Sequence, residues 1–273
     1  MEELILINGQ PIPENFPLRS LFYGEGVFET FRWKSTHPVF LNRHIERMKN
    51  GAEILRIPFP GEETILDSLD RALTAFQASD AYVKICLLSH GSSMFYENPE
   101  GFSFLSIVRE YQLPNEPVKA RVSDCRRSST SSILRLKSLN YLESIYARRE
   151  ARELGFDDAI FLNERGEVTE GTASNIFWFR DGVLYTPTIE CGLLSGITRG
   201  LLVEIAEEIG MQVWEGCFNL ESLLPSHCCF LTNSLIGVVA ISQINETKLH
   251  CDYNCFERIK ASLFEKLGWV NDI

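Results

Sequence analysis

The strongest constraint in the sequence is a break near its middle. At Tyr111-Gln-Leu-Pro114-Asn-Glu-Pro117 two prolines fall within four residues. Each removes a backbone donor and bars the residue before it from the helical region. Neither a helix nor a central strand runs through such a stretch, so the chain is expected to form two units. We place an N-terminal α/β domain at 1–113, a linker at 114–119 and a C-terminal domain at 120–273. With 273 residues, each part is long enough to bury a core of its own.

Before the break, strands and helices alternate. Leu4 to Ile7 reads as a short strand ended by Asn8-Gly9, Val27 to Trp33 as a second, and Val39 to Leu41 as a third after Pro38. A helix capped by Asn42 follows, with Ile45, Met48, Ala52 and Leu55 on one face, and a second spans about Glu62 to Gln77. Tyr82 to Ser89 and Phe102 to Val108 read as buried strands.

After the break, strands are expected around Ala120 to Ser123 and at Ile133 to Leu136. A helix from Tyr141 to Leu154 comes next, with Asn140 as its cap, Glu143 at the third helical position and Gly155 past its end. From Asp158 the chain meanders through Ala159 to Leu162, a turn at Asn163 to Gly166, Ser174 to Phe179, an Asp181-Gly182 hairpin and Val183 to Tyr185. A helix bearing Leu201, Leu202, Ile205, Ala206 and Ile209 closes at Gly210. Apolar strands at Cys228 to Thr232 and Leu235 to Ile241 and a helix from Tyr253 to Leu267 complete the pattern. The fold class is mixed α/β (α+β).

Charge excludes some partners. The 26 basic and 37 acidic residues leave a net charge of −11, and the densest basic cluster is Arg148, Arg149 and Arg152 within one helix. No nucleic-acid partner is expected. No run approaches 18 apolar residues, and Met1-Glu2-Glu3 lacks the basic start of a secretory signal. The expectation is a cytoplasmic protein without a membrane partner, its eight cysteines reduced. His227-Cys228-Cys229 and His250-Cys251 with Cys255 supply soft ligands, but neither has paired C-x2-C spacing, so no metal is expected.

Three features suit chemistry better than packing. Lys137 follows the apolar Ile133-Leu-Arg-Leu136 and precedes a capped helix, so burial and the helix dipole both favour a neutral amine. Such a lysine can form a Schiff base with a carbonyl; taken alone, it reads first as a strand-end lysine that snorkels to water. Glu170 leads into the aromatic Phe177-Trp178-Phe179, and a carboxylate buried there needs a cation; taken alone, it also reads as a solvated turn residue. Gly192-Leu-Leu-Ser-Gly196-Ile-Thr198 opens a helix with small residues, an arrangement able to hold phosphate, or simply an ordinary cap. Thr232-Asn233-Ser234 could add donors to the same anion. Tyr23-Gly24-Glu25-Gly26 is no dinucleotide fingerprint, because the third glycine and the following helix are missing.

Together these motifs resemble the fold-type IV pyridoxal-phosphate enzymes, the group of branched-chain aminotransferases, D-amino acid aminotransferases and 4-amino-4-deoxychorismate lyases. The resemblance runs along essentially the whole chain. It rests on Tyr23-Gly-Glu-Gly-Val-Phe-Glu-Thr30, His44-x-x-Arg47, Lys137-Ser-Leu-Asn-Tyr141, Val168-Thr-Glu-Gly-Thr-Ala-Ser-Asn175 and Gly196-Ile-Thr-Arg199.

The resemblance implies a smaller N-terminal α/β domain, a larger C-terminal β-barrel-like domain with helices, and pyridoxal 5′-phosphate as cofactor. By resemblance, Lys137 joins the cofactor covalently and moves a proton, Glu170 faces its ring nitrogen, and Arg47, Ile197, Thr198 and Thr232 meet its phosphate, with Asn233 beside them. Tyr141 stands near the ring oxygen, and Tyr23, Phe28, Thr30 and His90 are candidate substrate contacts. A small-molecule amine substrate and a homodimer are implied in the same way. Asn233, where aminotransferases of this group carry a Gly-Thr pair, resembles the lyases; His90 departs from the arginine found there in many members. The expected reaction is the lyase one, with amino transfer on branched-chain or D-amino acids as the alternative.

Overall fold

The computed structural model describes residues 4–77, 79–113, 116–251 and 253–269. Pro114 and Asn115, half of the break on which the linker was placed, lie outside the described residues. A short hairpin, β1 (Leu6–Ile7) and β2 (Gln10–Pro11), and helix α1 (Leu18–Tyr23) lead into β3 (Gly26–Lys34). Helices α2 (Leu41–Ile54) and α3 (Glu62–Phe76) follow, then β4 (Asp80–His90) and β5 (Gly101–Glu110). The three long strands form an antiparallel sheet in the order β3-β4-β5.

Alternation decides which residues of this sheet meet the helices. Val27 and Phe31 of β3, with Ala81, Val83, Ile85 and Leu87 of β4, share a core with Ile45, Met48, Ile65 and Leu69 of α2 and α3. Residues of opposite parity, among them Phe28, Thr30, Tyr82 and Lys84, therefore face away from the helices and line a cavity.

The second sheet has nine strands: β6 (Val118–Arg127), β7 (Asp158–Asn163), β8 (Val168–Gly171), β9 (Asn175–Arg180), β10 (Val183–Pro187), β11 (Gln212–Gly216), β12 (Cys228–Asn233), β13 (Gly237–Ile244) and β14 (Thr247–Lys248). Their order is β11-β10-β9-β12-β13-β6-β7-β8, with β14 beside β13, in a curled half-barrel. Helix α4 (Leu142–Glu153) packs on β6 and β7. Helices α5 (Ile197–Glu208) and α7 (Tyr253–Leu267) cover a core containing Phe177, Phe230, Leu201, Ile205, Ile259 and Leu263. A short α6 (Leu220–Leu223) joins β11 to β12. Among the described residues, no helix is long and apolar enough to cross a membrane.

Several local expectations need correction. Ile133 to Leu136 is not a strand: Ile133–Arg135 is one 3-10 turn, and Leu136 alone is extended. Lys137 is nonetheless held like a strand residue, because its carbonyl accepts the N–H of Phe28 at 2.9 Å and Ser138 bridges Val27. Asn140 does not cap α4; its side-chain amide donates to the Gly24 carbonyl, and the helix starts one residue later behind Tyr141. Asn42 lies inside α2 rather than at its cap, and Val39 to Leu41 is a turn entering that helix, not a strand. Phe102 to Val108 is a strand but not a buried one: β5 is the sheet edge, with Leu105 and Ile107 exposed. The expectation of eight reduced cysteines also fails, because Cys228 and Cys251 form a disulfide where the loop before α7 crosses β12.

Candidate active site

Lys137 enters the site through its backbone. Pairing of the 137–139 segment with β3 (Phe28 N–H to Lys137, Leu139 N–H to the Gly26 carbonyl at 3.0 Å) sets the amine beside the cavity-facing residues of that strand. Its Nζ lies 4.8 Å from the Phe28 ring centre and 5.9 Å from that of Tyr141, and the two rings meet edge-on at 5.1 Å. The approach explains a glycine: a Cβ on Gly26 would sit 2.6 Å from the Leu139 side chain.

The cavity holds about 380 Å³ and brings Lys137 and Glu170 to one space. Burial, then the positive charge of Arg47, lowers the Lys137 amine to about 8. Burial raises Glu170 to about 7, against Arg127, whose Nη1 lies 3.9 Å away, and the N–H of Leu194, which donates at 3.2 Å. Burial likewise lifts the Tyr141 phenol to about 12. An amine pushed toward neutrality and a carboxyl pushed toward protonation across one cavity are a functional signature, since packing alone gains nothing from either.

Behind Lys137 lies a fully buried carboxylate. Glu29, on the helix-facing side of β3, accepts from Arg47 Nε and Nη2, both at 2.7 Å, and lies 2.6 Å from His44 Nδ1. These partners overcome desolvation and hold it at about 2. Arg47 Nη1 donates to the Ser195 carbonyl at 2.9 Å, which ties α2 to the segment entering α5 and leaves one N–H on each terminal nitrogen for a further acceptor.

At the far end of the cavity α5 begins behind Gly196 without a side-chain cap, so its first amides are free of intrahelical partners. Thr198 and Ser234 hydroxyls meet at 3.0 Å beside them. Gly196 has no room for a side chain, since a Cβ there would fall 2.0 Å from Asn175 Oδ1. Free amides, two hydroxyls and a nearby guanidinium form a donor set suited to a phosphate dianion. With a half-buried amine and a buried carboxyl in the same space, the residues present fit a pyridoxal-phosphate-type group.

Most sequence-predicted residues converge here. Phe28, Thr30, Arg47, Lys137, Tyr141, Glu170, Ile197, Thr198, Thr232 and Asn233 all line the cavity. Two of them point their polar atoms elsewhere. The Thr232 hydroxyl donates to the Gly237 carbonyl at 2.6 Å, while Asn233 braces its loop by donating to Ala173 and accepting from Leu235 and Ile236. Tyr23 and His90, expected as substrate contacts, do not line the cavity. Tyr23 bonds the Ser93 carbonyl from the surface, and His90, past the cavity end of β4, packs on Gly101 with Nε2 3.1 Å from the Phe102 carbonyl.

Sequence reasoning missed Glu29, Tyr82, Lys84 and Arg127. The first three carried a signal, being polar residues inside apolar alternating strands. Lys84 lies 4.1 Å from the Phe28 ring centre, opposite Thr30 in register. Arg127 carried none, because its burial against Phe161, Glu143 and Ser144 depends on contacts across the fold.

Comparison with known proteins agrees with this geometry. The model of the family described as amino-transferase class IV matches residues 26–244. The aminodeoxychorismate lyase of Bacillus subtilis (strain 168) is 33% identical, over 89% of this chain and 87% of that protein. A candidate branched-chain-amino-acid aminotransferase of Methanocaldococcus jannaschii is 31% identical over 88% of each. The solved structure of a candidate 4-amino-4-deoxychorismate lyase from Legionella pneumophila superposes with a TM-score of 0.89 at 29% identity, covering 95% of this chain and 98% of that one. By its sequence, its fold and this likeness to lyases and aminotransferases alike, the chain belongs to the class IV aminotransferase family.

Proposed function

We propose that this chain is a lyase converting 4-amino-4-deoxychorismate to 4-aminobenzoate and pyruvate. Enzymes of this family use pyridoxal 5′-phosphate. The observation that carries the reading is the pairing of Lys137, lowered to about 8, with Glu170 across one cavity. The lyase rather than the aminotransferase is favoured by the 33% identity to the Bacillus subtilis lyase. Amino transfer on branched-chain or D-amino acids is the second reading, supported by the aminotransferase likeness reported above.

Lys137 would hold the cofactor through its aldehyde, Glu170 would face the ring nitrogen, and the start of α5 with Thr198, Ser234 and Arg47 would hold the phosphate. When bound, the cofactor supplies an electrophilic carbon for an amine and a cationic ring that draws off electrons. The chain's residues do the rest. Lys137, its amine lowered to about 8 in the cofactor-free chain, would serve as the base that takes the proton from the amine-bearing carbon of a substrate held in the cavity. A cationic ring nitrogen held there would offset the burial that raises Glu170 and keep its carboxylate charged. Glu29 keeps Arg47 from swinging off the phosphate end. Phe28, Tyr141 and Leu136 shield the reacting atoms from water.

We infer that Lys84 meets a substrate carboxylate, being the cation that the small sheet presents to the cavity. We also read the protein as a cytoplasmic homodimer of two-domain subunits divided at 114–119. Exposed Phe95, Tyr96, Leu105 and Ile107 on and beside β5 support a second copy covering that face. Purified protein assayed for pyruvate release from aminodeoxychorismate, beside amino transfer to 2-oxoglutarate, tests the reaction. Pyruvate in step with 4-aminobenzoate supports the lyase; amino transfer alone replaces it with the second reading.

A further inference from the structure

Two thiols that the catalytic reading leaves unused lie directly behind the segment it depends on. Cys191, buried, ends the 3-10 turn Ile189–Cys191, and Cys217, exposed, follows β11; their sulfurs are 3.4 Å apart although 26 residues separate them. Glu167 adds a carboxylate oxygen within 4.8 Å of both. That carboxylate is already held by Arg165, at 2.6 and 2.9 Å, and by Asn163 at 2.6 Å, so a cation is resident in the cluster. The arrangement favours sulfur–sulfur bonding over a metal.

From the geometry we propose that Cys191 and Cys217 form a reversible disulfide that loosens the cofactor cradle. A peroxide is the oxidant. The exposed Cys217 sulfur takes one oxygen to give a sulfenic acid and water; the Cys191 sulfur then displaces hydroxide, which leaves as a second water with the Cys191 proton, and the sulfur–sulfur bond forms. Burial and the neighbouring thiol raise Cys191 to about 12, which keeps it a thiol and leaves the first oxidation to its partner.

The consequence follows from what Cys191 begins. Its carbonyl is held by Asn163 at 3.2 Å, and Gly192 is wedged so closely that a Cβ would lie 2.7 Å from the Ser129 Cα. Three residues on, Leu194 donates to Glu170 and accepts from Asn175 at 2.9 Å; Ser195 accepts from Arg47, and α5 starts behind Gly196. A disulfide needs the sulfurs about 2.05 Å apart, so the pair must close by more than an ångström. The reduced segment already makes all of these bonds, so whatever part of the closure the Cys191 side takes up is drawn from them.

The test uses the full-length chain, reduced and then titrated with hydrogen peroxide, beside Cys217→Ser treated identically. Peptide mass spectrometry without reductant should find Cys191 joined to Cys217, distinct from Cys228 joined to Cys251, and thiol reductant should reverse it. Pyridoxal phosphate affinity, read by visible absorbance, should weaken at least threefold in the oxidised chain and not in Cys217→Ser. Cys217 driven to sulfinic acid without the cross-link, or a cross-linked chain with unchanged affinity, would overturn the proposal. The cofactor effect rests on the reading given under Proposed function; were that reading wrong, the reduced chain would show no absorbance band while the cross-link would still be measurable.

Discussion

The two walls of the cavity differ in how firmly they are enclosed. On the large-sheet side Glu170 is 8% exposed, Thr198 2% and Thr232 0%, and each has its polar atoms committed to a partner. On the small-sheet side Thr30, Tyr82 and Lys84 are only half-buried, and Lys84 rests against an aromatic ring. A closed, pre-bonded wall suits a resident group whose shape never changes. An open wall of long side chains suits a substrate that comes and goes, and in a family holding both lyases and aminotransferases this is where the reactions can diverge. On the function proposed here, the groups that would hold the cofactor's ring nitrogen and phosphate lie on the large-sheet side and the groups that would select the substrate on the small-sheet side, with Lys137 paired to β3 between them.

The sharpest way to break this division is at the lysine between the walls. Lys137→Ala should abolish turnover by at least about a thousandfold, as removal of a covalent and proton-moving residue does. It should also abolish the absorbance change on borohydride treatment; measurable residual turnover with that change intact would remove Lys137 from the mechanism. Glu170→Gln comes next. It keeps the shape of the closed wall but removes its charge, and kcat should fall about a hundredfold while the cofactor still binds.

How much of this was legible beforehand follows the same division. Glu170, Thr198 and the α5 start sit where local rules operate, in a strand-to-turn run and at a helix opening, so residue type and spacing raised them as candidates and the family resemblance chose between that reading and a solvated turn or an ordinary cap. The fold's long elements were equally open to reading: the Asp181-Gly182 hairpin has both residues at positive φ, and α7 spans its expected residues. Lys137 was found for a partly mistaken reason, since the segment before it is a 3-10 turn and its strand-like pairing belongs to β3. Arg127 and the pairing of Cys228 with Cys251 depend on contacts between distant segments, which no local pattern encodes. Tyr23 and His90 were carried over by resemblance alone; Tyr23 ends helix α1, His90 ends β4, and neither lines the cavity.

The open wall makes a smaller prediction. Lys84→Met should raise KM for a carboxylate substrate about tenfold, the worth of one charge-assisted contact, with kcat little changed. A fall in kcat with KM unchanged would move Lys84 from substrate binding into the chemistry. The amine between the walls gives a pH test of similar size. Because Lys137 ionises at about 8, the free-base fraction in the cofactor-free chain rises about tenfold between pH 7 and 9. The rate of cofactor uptake should rise with it and level off above pH 9; a flat profile would mean that Lys137 is not the group attacked.

The smallest effect concerns stability, and its sign separates the two ionisable groups. Lys137 falls from 10.5 in the unfolded chain to about 8 in the folded one, so between those values the unfolded chain binds more protons and stability rises with pH. Below pH 8 both states are protonated and the penalty of the buried ammonium is present in full. Lys137→Met should therefore stabilise the cofactor-free chain by about 1–3 kcal/mol at pH 7, with the advantage shrinking toward pH 10. Glu170 works the other way: raised from 4.5 to about 7, it makes stability fall as pH climbs through that window, and Glu170→Gln should flatten this slope. Denaturant melts of the cofactor-free variants from pH 5 to 10 measure both. A destabilised Lys137→Met would mean that the amine is held charged by partners on the open wall, and the division between a prepared wall and an adaptable one would have to be redrawn around it.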